Sequence, residues 1–171
     1  TQTCYINVTN VNPYCIPAPV NGTNFGDYIN AVSIGTISNL NTGSVSGPSY
    51  SNYSNLSTNL STNTAYNIVV QNGTYNNDSI AAWIDYNDDG DFADAGEKLD
   101  QVSAPIVNTN YTLNFTVPGT ITLGTKRLRV RIAYLPPSAP NMDPCTNYNY
   151  GETEDYSVNI VAGSVITPVV N

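Results

Sequence analysis

Strand signals recur along this chain at short intervals, and helix signals are nearly absent. The segments are "CYINVTNV" (4–11), "YINAVSIGTI" (28–37), "AYNIVVQ" (65–71), "SIAAWIDY" (79–86), "YTLNFTV" (111–117), "RLRVRIAY" (127–134), "DYSVNIV" (155–161) and "SVITPVV" (164–170). Each is rich in Val, Ile, Thr and Tyr and bounded by Gly, Pro, Asn or Ser, as pleated strands ended by turn formers are. Alternation is sharpest in 127–132. There Leu128, Val130 and Ile132 take one face, and Arg127, Arg129 and Arg131 take the other. Many short strands separated by turns close into two packed sheets. The expected fold is therefore all-β, an antiparallel β-sandwich of jelly-roll-like kind, in a single domain over residues 1–171. The low-complexity stretch 39–63, "NLNTGSVSGPSYSNYSNLSTNLSTN", reads as long loops with one irregular strand, anchored by Tyr50, Tyr53, Leu56 and Leu60.

The charge is one-sided. Lys plus Arg number 5 and Asp plus Glu 13, a formal net charge of −8. Eight of the 13 acids lie between Asp78 and Asp100, and three more in "GETED" (151–155). A surface with no basic stripe is unsuited to nucleic acid or to anionic membrane. No run approaches the ~20 apolar residues of a spanning helix. The chain has no His. That removes the commonest general base and the Ser–His and Cys–His nucleophile pairs. The acids cluster at metal-like spacing and none stands isolated among apolar residues, so the chain is not expected to be an enzyme. Cys4, Cys15 and Cys145 lack the short spacing of a zinc or thioredoxin-like motif. Few Lys and much Asn, Thr and Tyr point to an extracellular or cell-surface location.

Residues 85–97, "DYNDDGDFADAGE", hold seven acids or amides in thirteen positions. Asp85, Asn87, Asp89 and Asp91 place oxygens at alternate positions, with Gly90 free to turn sharply. A hard divalent cation needs that pattern, and an EF-hand loop begins in the same way. The match then breaks. Loop position 12, the bidentate Glu of an EF-hand, falls on Gly96, and Glu97 is thirteenth. A strand, not a helix, precedes the loop. The expectation is a calcium loop grafted between strands, with Asp85, Asn87, Asp89, Asp91 and Glu97 as ligands. Glu152, Glu154 or Asp155 are further candidates to complete it.

Four stretches, in order, resemble the GEVED domain, a module of secreted and cell-surface proteins of Bacteroidetes-type bacteria. They are "YCIPAPVNGTNFGDYINAVSIGTISN" (14–39), "WIDYNDDGDFADAGE" (83–97), "FTVPGTITLGTKRLRVRIAY" (115–134) and "PCTNYNYGETEDYSVNI" (144–160). The family takes its name from the last, where this chain has Thr153 in place of Val. The resemblance covers roughly 14–161 and leaves 1–13 and 162–171 as strand-like tails. It implies a β-sandwich, an extracellular address and an accessory role beside enzymes or adhesins. It also implies a disulfide between Cys15 and Cys145, which leaves Cys4 over; pairing of Cys4 with Cys15 is the alternative.

Other features have narrower readings. "RLRVR" and "GETED" suit adjacent strands held in register by Arg–carboxylate pairs. Trp83, in an apolar strand, belongs in the core. Tyr148, Tyr150 and Tyr156 are the candidate sugar-stacking platform. "DSI" at 78–80 matches a short O-glycosylation motif with Ser79 as acceptor. The expected function is that of a non-catalytic, calcium-stabilised extracellular structural module. It would act in cell-surface adhesion or filament assembly through its terminal strands, by self-association or with a neighbouring surface protein. The alternative is a carbohydrate-binding accessory module of a secreted enzyme, with polysaccharide as its partner.

Overall fold

The computed structural model describes residues 14–135 and 141–163. The expected strands at 4–11 and 164–170, and Cys4, lie outside the described residues. The strands are β1 (Ile29–Ile34), β2 (Ile37–Leu40), β3 (Tyr50–Ser61), β4 (Ala65–Asn72), β5 (Asp78–Ile84), β6 (Lys98–Ala104), β7 (Asn110–Thr116), β8 (Gly124–Tyr134) and β9 (Gly151–Val161). They form a four-stranded sheet in the order β2-β1-β4-β7 and a five-stranded sheet in the order β3-β9-β8-β5-β6. The two sheets pack face to face as an all-β sandwich. No helix occurs among the described residues.

Alternation explains the core. From the five-stranded sheet, Ile80, Ala82, Ile84, Leu128, Val130, Ile132, Tyr156, Val158 and Ile160 point inward. They meet Val32, Ile34, Ile68, Val70, Leu113 and Phe115 from the other sheet. The odd-numbered residues of β5 do not face water. Ala81 and Trp83 join Phe92, Ala133 and Met142 in a second cluster, roofed by Tyr14, Leu135 and Tyr148. All seven residues of β5 are therefore buried. This is why "SIAAWI" reads as a continuous apolar run where a strand open to water on one face would alternate. Trp83 lies in this second cluster at 1% exposure.

The expected all-β sandwich is borne out, and the structure refines its strands in three places. The sandwich is not purely antiparallel, because β3 runs parallel to β9. A parallel neighbour needs a long connection in place of a hairpin, and the chain supplies one by passing through five other strands first. The stretch 39–63 is not mostly loop. It holds β3, twelve residues long, with a register shift between Tyr53 and Ser57. This is the one irregular strand expected there, with Tyr50, Tyr53, Leu56 and Leu60 all on it, but its polar Ser/Asn/Thr sequence understated its length because it is an edge strand, with only Thr58 and Leu60 buried. Two further strands, β2 and β6, gave no apolar signal; "KLDQVSA" lies half-buried at the other edge of the same sheet.

Gly151 opens β9 opposite Ala133 of β8, with φ +142°. L side chains rarely adopt that conformation. A Cβ at this point would also stand 2.2 Å from the Ile132 carbonyl oxygen. Gly151→Ala is expected to destabilise the domain by about 2–4 kcal/mol, read as a lower urea midpoint with an unchanged m-value.

Candidate metal centre

Residues 85–97 connect β5 to β6, and the loop is wired by its own side chains. Asp85 is fully buried. Its Oδ1 accepts the Asp88 N–H at 2.7 Å, and its Oδ2 accepts the Gly90 N–H at 3.1 Å and the Tyr14 hydroxyl at 2.6 Å. Three Asx turns follow in series. The Asn87 Oδ1 accepts from Asp89 N–H at 3.1 Å, the Asp89 Oδ1 from Asp91 N–H at 3.1 Å, and the Asp91 Oδ1 from Ala93 N–H at 2.8 Å. Glu97 holds the far end, its carboxylate accepting from Tyr86 N–H at 2.9 Å and Asp94 N–H at 3.2 Å. Phe92 anchors the middle by entering the second cluster.

This wiring turns three carboxylates toward one point. Asp89, Asp91 and Asp94 are exposed, and each offers an oxygen within 4.8 Å of the others. The Asn87 amide donates to Asp89 at 3.1 Å and to Asp94 at 2.5 Å. Of the five ligands expected from spacing, the structure brings Asp89 and Asp91 together and places Asn87 beside them. It turns Asp85 and Glu97 onto backbone amides. Asp94 was not in the expected set, because the alternate spacing stops at Asp91. Its place near the tip depends on the turn from Phe92 to Glu97.

No basic side chain compensates the three carboxylates. Lys126 pairs with Asp88 and donates to Thr122 at 2.8 Å. Lys98 donates to Gln101 at 2.7 Å and to the Met142 carbonyl at 3.2 Å. Arg127 and Arg129 pair with Asp155 at 3.5 and 2.8 Å. Arg131 donates to Thr153 at 2.9 Å and to the carbonyls of Asp143 and Thr146. These are all five Lys and Arg of the chain. Calcium takes six to eight oxygens at close range, so oxygens up to roughly 5 Å apart can share one ion. The residues at the loop tip fit such an ion.

The "GETED" strand does not reach this site. Its even residues face the sandwich interior and its odd residues the outer cluster. Asp155 is bonded to Arg129, as the expected cross-strand pair, with both side chains at 0% exposure. Glu152 accepts the Ile29 N–H at 2.9 Å and Glu154 the Tyr156 hydroxyl at 2.7 Å, both inside the sandwich. None of the three completes the metal loop. The sugar platform is also corrected. Tyr156 is at 0% exposure and stacks on Tyr53, and Tyr148 caps Arg131 at 5.2 Å. Only Tyr150 reaches a different, open pocket. Ser79 lies at 3% exposure in β5, between β6 and β8, so its hydroxyl is not available as a glycan acceptor.

Cys15 is bonded to Cys145 across 130 residues, the pairing that the resemblance implies. Closing a loop that long is worth ~5 kcal/mol in the chain-entropy account. A disulfide is compatible with an oxidising, extracellular setting. No helix among the described residues is long and apolar enough to cross a membrane.

Burial pushes the Glu152 carboxyl up to about 8, helped by the charge of Glu154, and burial pushes Glu154 up to about 7. Unfolded, both return to an ordinary value near 4.5. Between those limits the folded state binds more protons than the unfolded one. Stability therefore declines as pH rises from about 4.5 to about 8, and this contribution levels off above that. Calorimetric melts between pH 5 and 8 are expected to show the decline, and the Glu152→Gln/Glu154→Gln double variant to show a shallower one.

Residues 79–159 match the family model of the GEVED domain. No curated protein matches the chain. The matched segment runs from β5 into β9 and is narrower than the 14–161 span of the resemblance. It contains the acidic loop, both partners of the Arg129–Asp155 pair, and "GETED" itself. Over residues 79–159, just under half of its length, this chain is therefore similar to the GEVED domain family.

Proposed function

We propose that the chain is a non-catalytic, calcium-stabilised structural module of the cell exterior, working in surface adhesion or filament assembly by strand addition. One observation carries this reading, the edge formed by β3. Among the described residues β3 pairs with β9 alone, so one side of a twelve-residue strand has no strand partner. An open edge of that length is a template for an incoming strand, whose N–H and C=O groups it would satisfy. The terminal sequences "YINVTNV" and "SVITPVV" have the β-branched content of such strands. Cys4 immediately precedes the first of them, and a bond from it to a neighbour would lock the contact covalently. The carbohydrate-binding reading loses Tyr156 to burial and rests on Tyr148 and Tyr150.

Calcium enters through the loop. Three exposed carboxylates converge without a basic partner, and mutual repulsion there opposes folding until a cation arrives. The disulfide supports the extracellular placement.

Two measurements test the two parts separately. Full-length protein is expected to form polymers by light scattering and electron microscopy. Deletion of residues 1–12 is expected to leave a folded monomer. A full-length chain that stays monomeric at high concentration rules the assembly reading out. Calcium at about 100-fold above its Kd adds ~2.7 kcal/mol, or about 5–10 °C in Tm for a chain of this size. A chelator is expected to remove that increment, and Asp89→Ala/Asp94→Ala to abolish it. A melt indifferent to calcium and chelator rules the ion out and leaves strand addition standing.

A further inference from the structure

At the other end of β5 from the acidic loop lies a cavity of about 150 Å³, lined by Phe25, Asp27, Tyr75, Tyr134 and Tyr150. The four rings touch in sequence. Phe25 meets Tyr150 at 5.4 Å, Tyr150 meets Tyr134 at 6.4 Å, and Tyr134 meets Tyr75 at 5.7 Å, all edge to face. Phe25 and Tyr134 are exposed at 62% and 40%, so the cavity opens to water between them. Asp27 forms its floor at 0% exposure, and Asp78 lies behind it at 1%. The two carboxyls are close enough for each to perturb the other's titration. Among the described residues, nothing donates a hydrogen bond to any of their four oxygens.

We propose that this pocket binds an alkylammonium group, with the ring faces around the cation and Asp27, backed by Asp78, as its counter-charge. Aromatic faces attract organic cations through their quadrupole, and the attraction grows when the cation is desolvated. A cavity of this volume admits a guest about the size of benzene. The floor supplies the matching charge. Burial, with the charge of Asp27, pushes the Asp78 carboxyl up to about 9, and burial raises Asp27 as well, so the pair gains from a cation that offsets a buried carboxylate charge. A neutral sugar has no use for a buried anion. A bare metal ion wants six to eight oxygens and would meet ring carbons on most sides. The formal net charge of −8 adds a long-range field that draws cations toward the domain. Each feature comes from a different part of the chain: Phe25 and Asp27 precede β1, Tyr75 precedes β5, Tyr134 ends β8 and Tyr150 precedes β9. This site is independent of the acidic loop and of the β3 edge.

The test is a titration of the isotope-labelled full chain, followed by amide and aromatic resonances. n-Butylammonium is expected to give saturable shifts centred on Phe25, Tyr75, Tyr134 and Tyr150, and n-butanol to give none. Asp27→Asn is expected to weaken binding about tenfold or more, the loss of one charge-assisted contact. Tyr134→Leu gives an independent weakening should the Asn variant not fold. Nα-acetyl-lysine methylamide and choline distinguish the source: preference for the first marks a polypeptide lysine, and for the second a quaternary headgroup or free choline-like solute. Failure of every ammonium probe to saturate at tens of millimolar overturns the proposal. So does equal binding of n-butanol, unchanged binding in Asp27→Asn, or displacement of the probes by calcium.

Discussion

The Arg129–Asp155 pair is the interaction on which the outer half of this domain is built. Both side chains are fully removed from water, a change that costs several kcal/mol per ion unless it is offset in place. The offset is complete geometry. Arg129 meets Asp155 through two parallel bonds of 2.8 Å, Nε to Oδ1 and an Nη to Oδ2. Its remaining N–H groups reach the Cys15 carbonyl at 2.8 Å and the Pro144 carbonyl at 3.0 Å, while Phe92 covers it at 4.7 Å. One guanidinium thus joins β8 to β9, the segment before β1 to the segment before β9, and the acidic loop to the sheet. Its neighbours repeat the arrangement. Arg127 lies under Tyr14 at 4.8 Å, and Arg131 lies under Tyr148 at 5.2 Å. The three arginines alternate with Leu128 and Val130, so a single strand specifies the hydrophobic core on one face and a polar core on the other.

That arrangement sets what sequence reading could recover. Leu128, Val130 and Ile132 declared the inner face by period two, and Arg127, Arg129 and Arg131 declared the outer one. Pairing with "GETED" followed from opposite charge. The sequence was silent about what covers the arginines, because Tyr14, Phe92 and Tyr148 come from three irregular segments with no shared pattern. Glu152 and Glu154 were misleading for the same reason. Glutamates on an alternating strand suggest an outward, solvated face, yet the ion pair claims the outer face for Asp155 and turns both glutamates inward. β3 was expected only as one irregular strand among loops, because an edge strand needs few apolar residues, and Ser, Asn and Thr satisfy its half-exposed positions.

The acidic loop was legible in kind more than in detail. Alternate oxygens do organise it, but Asp85 and Glu97 spend theirs on backbone amides, and Asp94 reaches the tip by a turn that spacing does not encode. The aromatic cavity was invisible for a different reason. Phe25, Asp27, Tyr75, Asp78, Tyr134 and Tyr150 are spread over more than a hundred residues, and only the meeting of strand ends at one pole of the sandwich brings them together.

The disulfide has a mechanical consequence. Tension applied to the two ends of the chain enters the described region near Cys15 and crosses directly to Cys145 through a covalent bond. The 130-residue segment between them, with eight of the nine strands, is bypassed. Only β9 remains on the line of pull, hydrogen-bonded to β8 on one side and β3 on the other. A module tethered by its termini would therefore yield first at β9, taking with it the strand that β3 pairs with and the Asp155 partner of Arg129, while the covalent bond limits the extension to little more than the length of that strand and the chain flanking it.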